Sequence, residues 1–490
     1  MSAHSDCVVE TKHGKVRGKY EKGLYTFLGI PYGRYGRFQA AQEPEPWEGE
    51  WDGTVYGPCQ PQGPIELKWE NCDEEEFTEK KGLHLNVWTP ACDGKKRPVI
   101  VWIHGGGNLE GSPSNPTWDG AHLIGGHDAV EVSISYRLGF FGCLYLGHLL
   151  GDKYATSGSN NDLDKILALE WIRANIERFG GDPDCVTIMG QSGGAKSVGN
   201  LIVSPLAKGL FSQAIMMSGC AHCLKDLGTA EEITANFLEI CGLKADEAEK
   251  LLTMTVDEML EKQNAYRSRY ANCFASTIDG VVYTMHPADY IASGACGDIS
   301  VLIGYCGQEF SGHWSVKGKD PEVRRDIFRT RFSKKNASHI IKLYDEFLKD
   351  NDECMAYQEI ANRYFYANGS VNYTWMLASA GIKTWCYRWD FMADTGPIHL
   401  SDLSYVFRYT FEEDPEYGHG ARYDYMSKVM NETWMSYVMN GNPNNDQIPE
   451  WRPYTSATNG QRMYFGATPA AADFDLNRYD HDFEFIEFSL

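Results

Sequence analysis

No stretch of the 490-residue chain approaches the roughly 18 consecutive apolar residues of a membrane span, so a chain crossing a bilayer by helices is not expected. The first ten residues, MSAHSDCVVE, hold neither a basic segment nor an apolar run of signal-peptide length; the location expected from this is cytoplasmic. Positive charge is scarce as well. The 45 Lys and Arg face 67 Asp and Glu, and a net charge of -22 would repel a phosphate backbone, which argues against a nucleic-acid partner. Repeats, low-complexity tracts and Pro/Ser-rich linkers are missing, and one continuous domain over 1–490 fits best. The fourteen cysteines follow no regular spacing, and without an export signal they read as reduced thiols with no structural disulfide. Their one close pair, Cys220-Ala-His-Cys223, lacks the second pair that would complete a zinc site, leaving a redox or metal role as a minor alternative.

What is present is an ordinary globular composition, 43% hydrophobic and 23% charged, with alternating strands and helices. Val99-Ile-Val-Trp-Ile103 is a nearly unbroken apolar run of the kind that forms a strand buried on both faces. Strands are also expected at Val130–Tyr136, Cys185–Met189, Gln213–Met217, Ser300–Ile303 and Lys383–Tyr387. Between them, Leu163, Ile166, Leu169, Ile172 and Ile176 recur at helical spacing up to the stop Gly180-Gly-Asp-Pro183. This alternation predicts an α/β protein with a central, mostly parallel sheet flanked by helices and sites at the carboxyl ends of the strands. Residues 221–297 and 311–380 read as helical excursions covering the sheet.

Two glycine clusters fall at strand ends. Gly190-Gln-Ser192-Gly-Gly194 satisfies G-x-S-x-G between a strand and a helix, where a tight turn projects the serine hydroxyl and tolerates only small neighbours. His104-Gly-Gly-Gly107 follows a buried strand upstream of it. Backbone N–H groups of Gly106, Gly107 and Gly193 could there converge on the oxygen of a substrate carbonyl, each donor contributing about 2.7–4 kcal/mol. A phosphate loop is disfavoured because no Gly-Lys-Ser/Thr follows.

With these motifs, the chain resembles the type-B carboxylesterases, the family of para-nitrobenzyl esterases, liver carboxylesterases and cholinesterases. The likeness covers nearly the whole chain through Phe27-Leu-Gly-Ile-Pro-Tyr32, Leu83-His-Leu-Asn-Val-Trp88, Tyr136-Arg-Leu-Gly139, Phe179-Gly-Gly-Asp-Pro183, Gly441-Asn-Pro443 and Pro449-Glu-Trp451. It implies an α/β-hydrolase fold with helical caps and a triad in the order serine, acid, histidine. Ser192 is the implied nucleophile. Glu309, after the strand Val301-Leu-Ile-Gly304, is the implied acid, and His399 in Gly396-Pro-Ile-His399 the implied base. Asp402 is the rival acid and resembles a supporting residue; His419 is the rival base. Ser218 resembles a serine that hydrogen-bonds within the triad, although a turn-capping role is nearly as apt.

The resemblance implies a small-molecule ester substrate, and acyl transfer by such a triad requires no metal or organic cofactor; charge and the missing apolar span argue against nucleic acid and membrane, and the oligomeric state is left open. Trp102, Asn108, Phe310, Trp314 and Leu400 flank the expected chemistry. The chain departs from the family at Gln191, where glutamate is usual, and at Lys80-Lys-Gly82, where a disulfide partner for Cys59 and an acidic partner for Arg37 are usual. The fold also serves as a non-catalytic, esterase-like binding module, but such relatives typically lack triad members.

Overall fold

The computed structural model describes residues 7–63, 82–221, 224–270, 274–309, 318, 320–331, 334–392, 396–409, 420–455 and 460–473. Among these, thirteen strands join in one sheet. They are β1 (Cys7–Glu10), β2 (Lys15–Glu21), β3 (Leu24–Pro31), β4 (Glu50–Asp52), β5 (His84–Thr89), β6 (Arg97–Ile103), β7 (Val130–Ile134), β8 (Gly181–Gln191), β9 (Gln213–Met217), β10 (Ser300–Cys306), β11 (Lys383–Trp389), β12 (Gln461–Phe465) and β13 (Pro469–Asp473). Their order is β1-β2-β3-β5-β7-β6-β8-β9-β10-β11-β12-β13, with β4 beside β2. From β7 to β12 every pairing is parallel. The margins β1-β2-β3-β5-β7 and β12-β13 are antiparallel.

The parallel centre is apolar on both faces because side chains alternate along a strand. Val99, Val101 and Ile103 of β6 join Ile188, Met216, Val301 and Ile303 in one core. Ile100 and Trp102 join Met189, Ile215, Met217 and Leu302 in the other. The helix Asn160–Asn175 covers the first face with Ile166, Leu169, Trp171 and Ile172, and the 20-residue helix Ala421–Asn440 covers the second with Met426, Met430 and Trp434.

The expected strands appear, several with longer bounds. β8 begins at Gly181, ahead of Cys185, so Asp182-Pro183 lie within a strand rather than in a stop signal. The pairing shifts register there, between Arg97 and Val99, and Pro183 is tolerated at that irregularity. The helix before it ends as expected, through one tight turn at Ile176–Phe179 and Gly180 at φ 80°. The intervals 221–297 and 311–380 carry helices at Leu227–Cys241, Val256–Arg269, Pro287–Ala292, Pro321–Arg331, Lys334–Phe347, Glu353–Ala361 and Asn368–Ser379. Among the described residues no helix is long and apolar enough to cross a membrane.

One expectation fails. Ten of the described cysteines are free thiols, but Cys59 is disulfide-bonded, its partner lying outside the described residues. The absence of the family's usual cysteine at Gly82 therefore does not leave Cys59 reduced, and thiol content loses its force as an argument for a reducing compartment. Cys220 is a buried free thiol, and Cys223 lies outside the described residues.

Tyr136-Arg-Leu-Gly139, read from sequence only as a point of resemblance, has a structural explanation. The Arg137 guanidinium and Asp164 carboxylate are both fully buried and meet in a fork, Nε to Oδ2 at 2.8 Å and Nη2 to Oδ1 at 2.6 Å. The Arg137 backbone N–H also donates to Oδ2 at 3.0 Å, and Nη1 donates to the Gln39 carbonyl at 2.6 Å, tying the antiparallel margin to the helix Asn160–Asn175. Removing one member of such a pair strands a buried charge. Asp164→Asn is expected to lower unfolding free energy by about 3–5 kcal/mol in urea denaturation, and a loss below about 1 kcal/mol would contradict this anchoring role.

Candidate active site

β8 ends in the turn that carries Ser192, whose backbone lies at φ 55°, ψ -117° immediately before the helix Gly193–Ile202. That conformation resembles the first central position of a type II′ turn, normally reserved for glycine. Two close approaches hold it. A Cβ on Gly190 would meet the Gly194 carbonyl carbon at 2.4 Å, and a Cβ on Gly194 would meet the Ile103 oxygen at 2.0 Å. These glycines are required by contact, since neither has a positive φ.

The loop after β6 lies against the same turn. Gly106 and Gly107 adopt φ 94° and 63°, and a Cβ on Gly193 would come within 2.7 Å of the Gly107 nitrogen. His104 shapes the loop from within. Its Nδ1 lies 2.9 Å from the Gly105 oxygen, its ring stacks on Tyr136 at 4.4 Å, and Tyr136 donates to its carbonyl at 2.7 Å. Burial pulls the His104 pKa down to about 3, so this imidazole is neutral and takes no part in proton transfer near neutral pH.

Beyond β10, the buried Glu309 accepts from the Cys306 N–H through Oε1 at 2.8 Å, and its Oε2 lies 2.6 Å from His399 Nδ1. The carboxylate accepts and Nδ1–H donates, which leaves Nε2 on the other side of the ring. There the Gln191 Nε2 lies 3.4 Å from His399 Nε2. The rival acid, Asp402, is fully buried and receives a hydrogen bond from Tyr387 at 2.8 Å. Burial, with Glu309 nearby, raises its pKa to about 6 against the lowering effect of the tyrosine. Ser218 directs its hydroxyl to Cys306 Sγ at 3.9 Å, and Cys306 in turn donates its backbone N–H to Glu309. The rival base His419 lies outside the described residues, as do Phe310 and Trp314. Trp102 is core, edge-on to Phe407 at 4.9 Å, and Asn108 is buried with Nδ2 donating to the Phe274 carbonyl at 3.0 Å. Leu400 is exposed.

Sequence reading passed over one neighbour. Tyr366 stacks on His399 with centroids 4.7 Å apart and 28° between planes, and the Lys196 ammonium lies 5.6 Å from its ring centre. Lys196 sits four residues after Ser192, a spacing visible in the sequence; Tyr366 lies in a helical stretch with no distinguishing signal. Burial lowers the His399 pKa, but the Tyr366 oxygen, the Glu309 carboxylate with its hydrogen bond, and Asp402 outweigh it and raise the value to about 9. Among the described residues no group of three or more His, Cys, Asp or Glu could hold a metal ion.

A family model described as the carboxylesterase family matches residues 5–485. The para-nitrobenzyl esterase of Bacillus subtilis is 30% identical over 479 residues, covering 92% of this chain and 93% of that protein. Carboxylesterase 1C of Mus musculus is 28% identical, covering 91% and 87%. Among solved structures, the carboxylesterase EST55 of Geobacillus stearothermophilus superposes with a TM-score of 0.83 at 31% identity, covering 96% of this chain and 98% of that one. A PNB esterase structure superposes with a TM-score of 0.81 at 27% identity, covering 96% and 98%. The architecture is thus the α/β-hydrolase fold.

The direction of the histidine shift fixes a pH dependence. His399 rises from 6.5 to about 9 on folding, so its contribution to stability is fully present below about pH 6.5 and is lost as pH climbs through about 9. Glu309→Gln removes one of the charges that raise it. The stability difference between wild type and this variant is expected to shrink from pH 6 to pH 9.5 in denaturant titrations, and a difference independent of pH would contradict the pairing.

Proposed function

Since the chain belongs to the carboxylesterase family, we propose that it hydrolyses carboxylic esters through an acyl-enzyme, with Ser192 as nucleophile, His399 as general base and Glu309 as the acid that orients the base. By family it is a carboxylic ester hydrolase. The observation that carries the finer reading is the 2.6 Å contact between Glu309 Oε2 and His399 Nδ1, supported by the 3.4 Å approach of Gln191, the residue before Ser192, to His399 Nε2.

Ser192 Oγ attacks the ester carbonyl while Nε2 takes its proton, and the carbonyl electron pair moves onto oxygen. Backbone N–H groups of Gly106, Gly107 and Gly193 receive that charge; their convergence is supported by the close packing of Gly193 on the Gly107 nitrogen. The imidazolium, stabilised by Glu309, returns the proton to the departing alcohol. A water then repeats the sequence on the acyl-enzyme and frees Ser192. The substrate is a small carboxylic ester, and none of these steps draws on a metal or organic cofactor.

Ser192→Ala should lower kcat for p-nitrophenyl acetate on the order of 10⁶-fold, leaving the residual stabilisation of the oxyanion site. Turnover equal to that of an active wild type would overturn Ser192 as the nucleophile, and absence of turnover in wild type itself would favour the non-catalytic, esterase-like binding module.

A further inference from the structure

Tyr366 reaches the site through an irregular piece of backbone. The helix Glu353–Ala361 passes into the helix Asn368–Ser379 through a π-helical segment, Asn362–Ala367, which inserts an extra residue into the turn. Such bulges rotate the following side chains out of helical register and recur at functional positions. Here the bulge delivers the Tyr366 ring onto the face of His399. Its hydroxyl is also a hydrogen-bonding partner of the Ser192 side chain.

Lys196 is a second irregular choice. It lies in the first turn of the helix Gly193–Ile202, where the backbone dipole opposes a cation. The π face of Tyr366 offsets part of that cost. A tyrosine thus sits between the His399 ring, cationic once protonated, and the Lys196 ammonium, while touching the nucleophile.

We infer that Tyr366, backed by Lys196, is a positioning residue of this ester-hydrolysing site, holding the Ser192 hydroxyl at one edge and the face of His399 with its ring, and coupling the histidine's charge to its own. The inference rests on the Ser192–Glu309–His399 reading and adds a fourth member to it. Among the described residues, the titratable or charged groups acting on His399 are Tyr366, Glu309 and Asp402, and those acting on Tyr366 are His399, Lys196 and Glu309. Burial raises the phenol's pKa, but the two cations and the serine hydrogen bond bring it below the ordinary tyrosine value. The base is therefore held in its charged form to higher pH than the Glu309 pair alone would hold it, and hydrolysis should be an alkaline activity.

The test is the pH profile of kcat/KM for p-nitrophenyl acetate, corrected for spontaneous hydrolysis, with wild type, Tyr366→Phe, Lys196→Met and Ser192→Ala. Wild type is expected to rise with a midpoint near 9. Tyr366→Phe, which keeps the ring, should move that midpoint down by about one pH unit or more. Lys196→Met should move it the same way by less, and it carries the test on its own if Tyr366→Phe does not fold. Unmoved midpoints in the folded variants, with Ser192→Ala inactive, would overturn this inference and leave the triad standing. An active Ser192→Ala would instead overturn the triad reading beneath it.

Discussion

The site depends on a backbone constraint at the ends of adjacent parallel strands. Ser192 after β8 and Ser218 after β9 both lie at φ 55°, a conformation costing about 1–3 kcal/mol for a non-glycine residue. The cost is contained because neither amide is orphaned. Ser192 N–H donates to the Met217 carbonyl at 2.9 Å and Ser218 N–H donates to the Gly304 carbonyl at 2.8 Å, so the sheet's hydrogen bonding runs through the strained residues into the next strand. The turn is then locked by Gly194 lying against the Ile103 carbonyl. Strain in one residue becomes a property of four strands, which is how a sheet can present a hydroxyl from a fixed point.

The second constraint is electrostatic. Two carboxylates, Glu309 and Asp402, lie buried near one imidazole, and geometry decides between them. Glu309 has a donor on each oxygen, the Cys306 N–H and the His399 ring, which fixes the carboxylate in place. Asp402 is bound by Tyr387, burial raises its pKa to about 6, and no hydrogen bond to the imidazole is seen from it among the described residues. Away from the site, Arg37 donates to the carbonyls of Leu251 and Met254.

The parallel strands β6 to β11 were legible because strands buried on both faces are written as unbroken apolar runs, as in Val99-Ile-Val-Trp-Ile103, whereas β12 was not. The antiparallel margins were not. β1 and β4 are short, all three of β1, β2 and β4 are half-exposed and mixed in composition, and tertiary pairing rather than local pattern makes them strands. Ser192 and the glycine loop could be read because steric necessity restricts those positions to few residue types. Glu309 and His399 needed the family's segments, since a loop glutamate and a loop histidine carry no local signature. Tyr366 escaped notice because a π-helical insertion leaves no compositional trace, and the Cys59 disulfide because cysteine spacing does not encode pairing.

Gln191 shows how these constraints meet. It is buried directly before the nucleophile, and its amide nitrogen lies 3.4 Å from His399 Nε2. A carboxylate there, as the family usually has, would add another anion around an imidazole already raised to about 9 by Tyr366, Glu309 and Asp402. That would hold the base protonated still further from neutral pH. The amide avoids this and serves both charge states: nitrogen can donate to a neutral Nε2, and the oxygen, which has no partner among the described residues, would accept from the imidazolium after a flip. The neutral residue at 191 and the tyrosine at 366 therefore form one electrostatic adjustment, in which charge at the serine's side of the ring gives way to charge across its face.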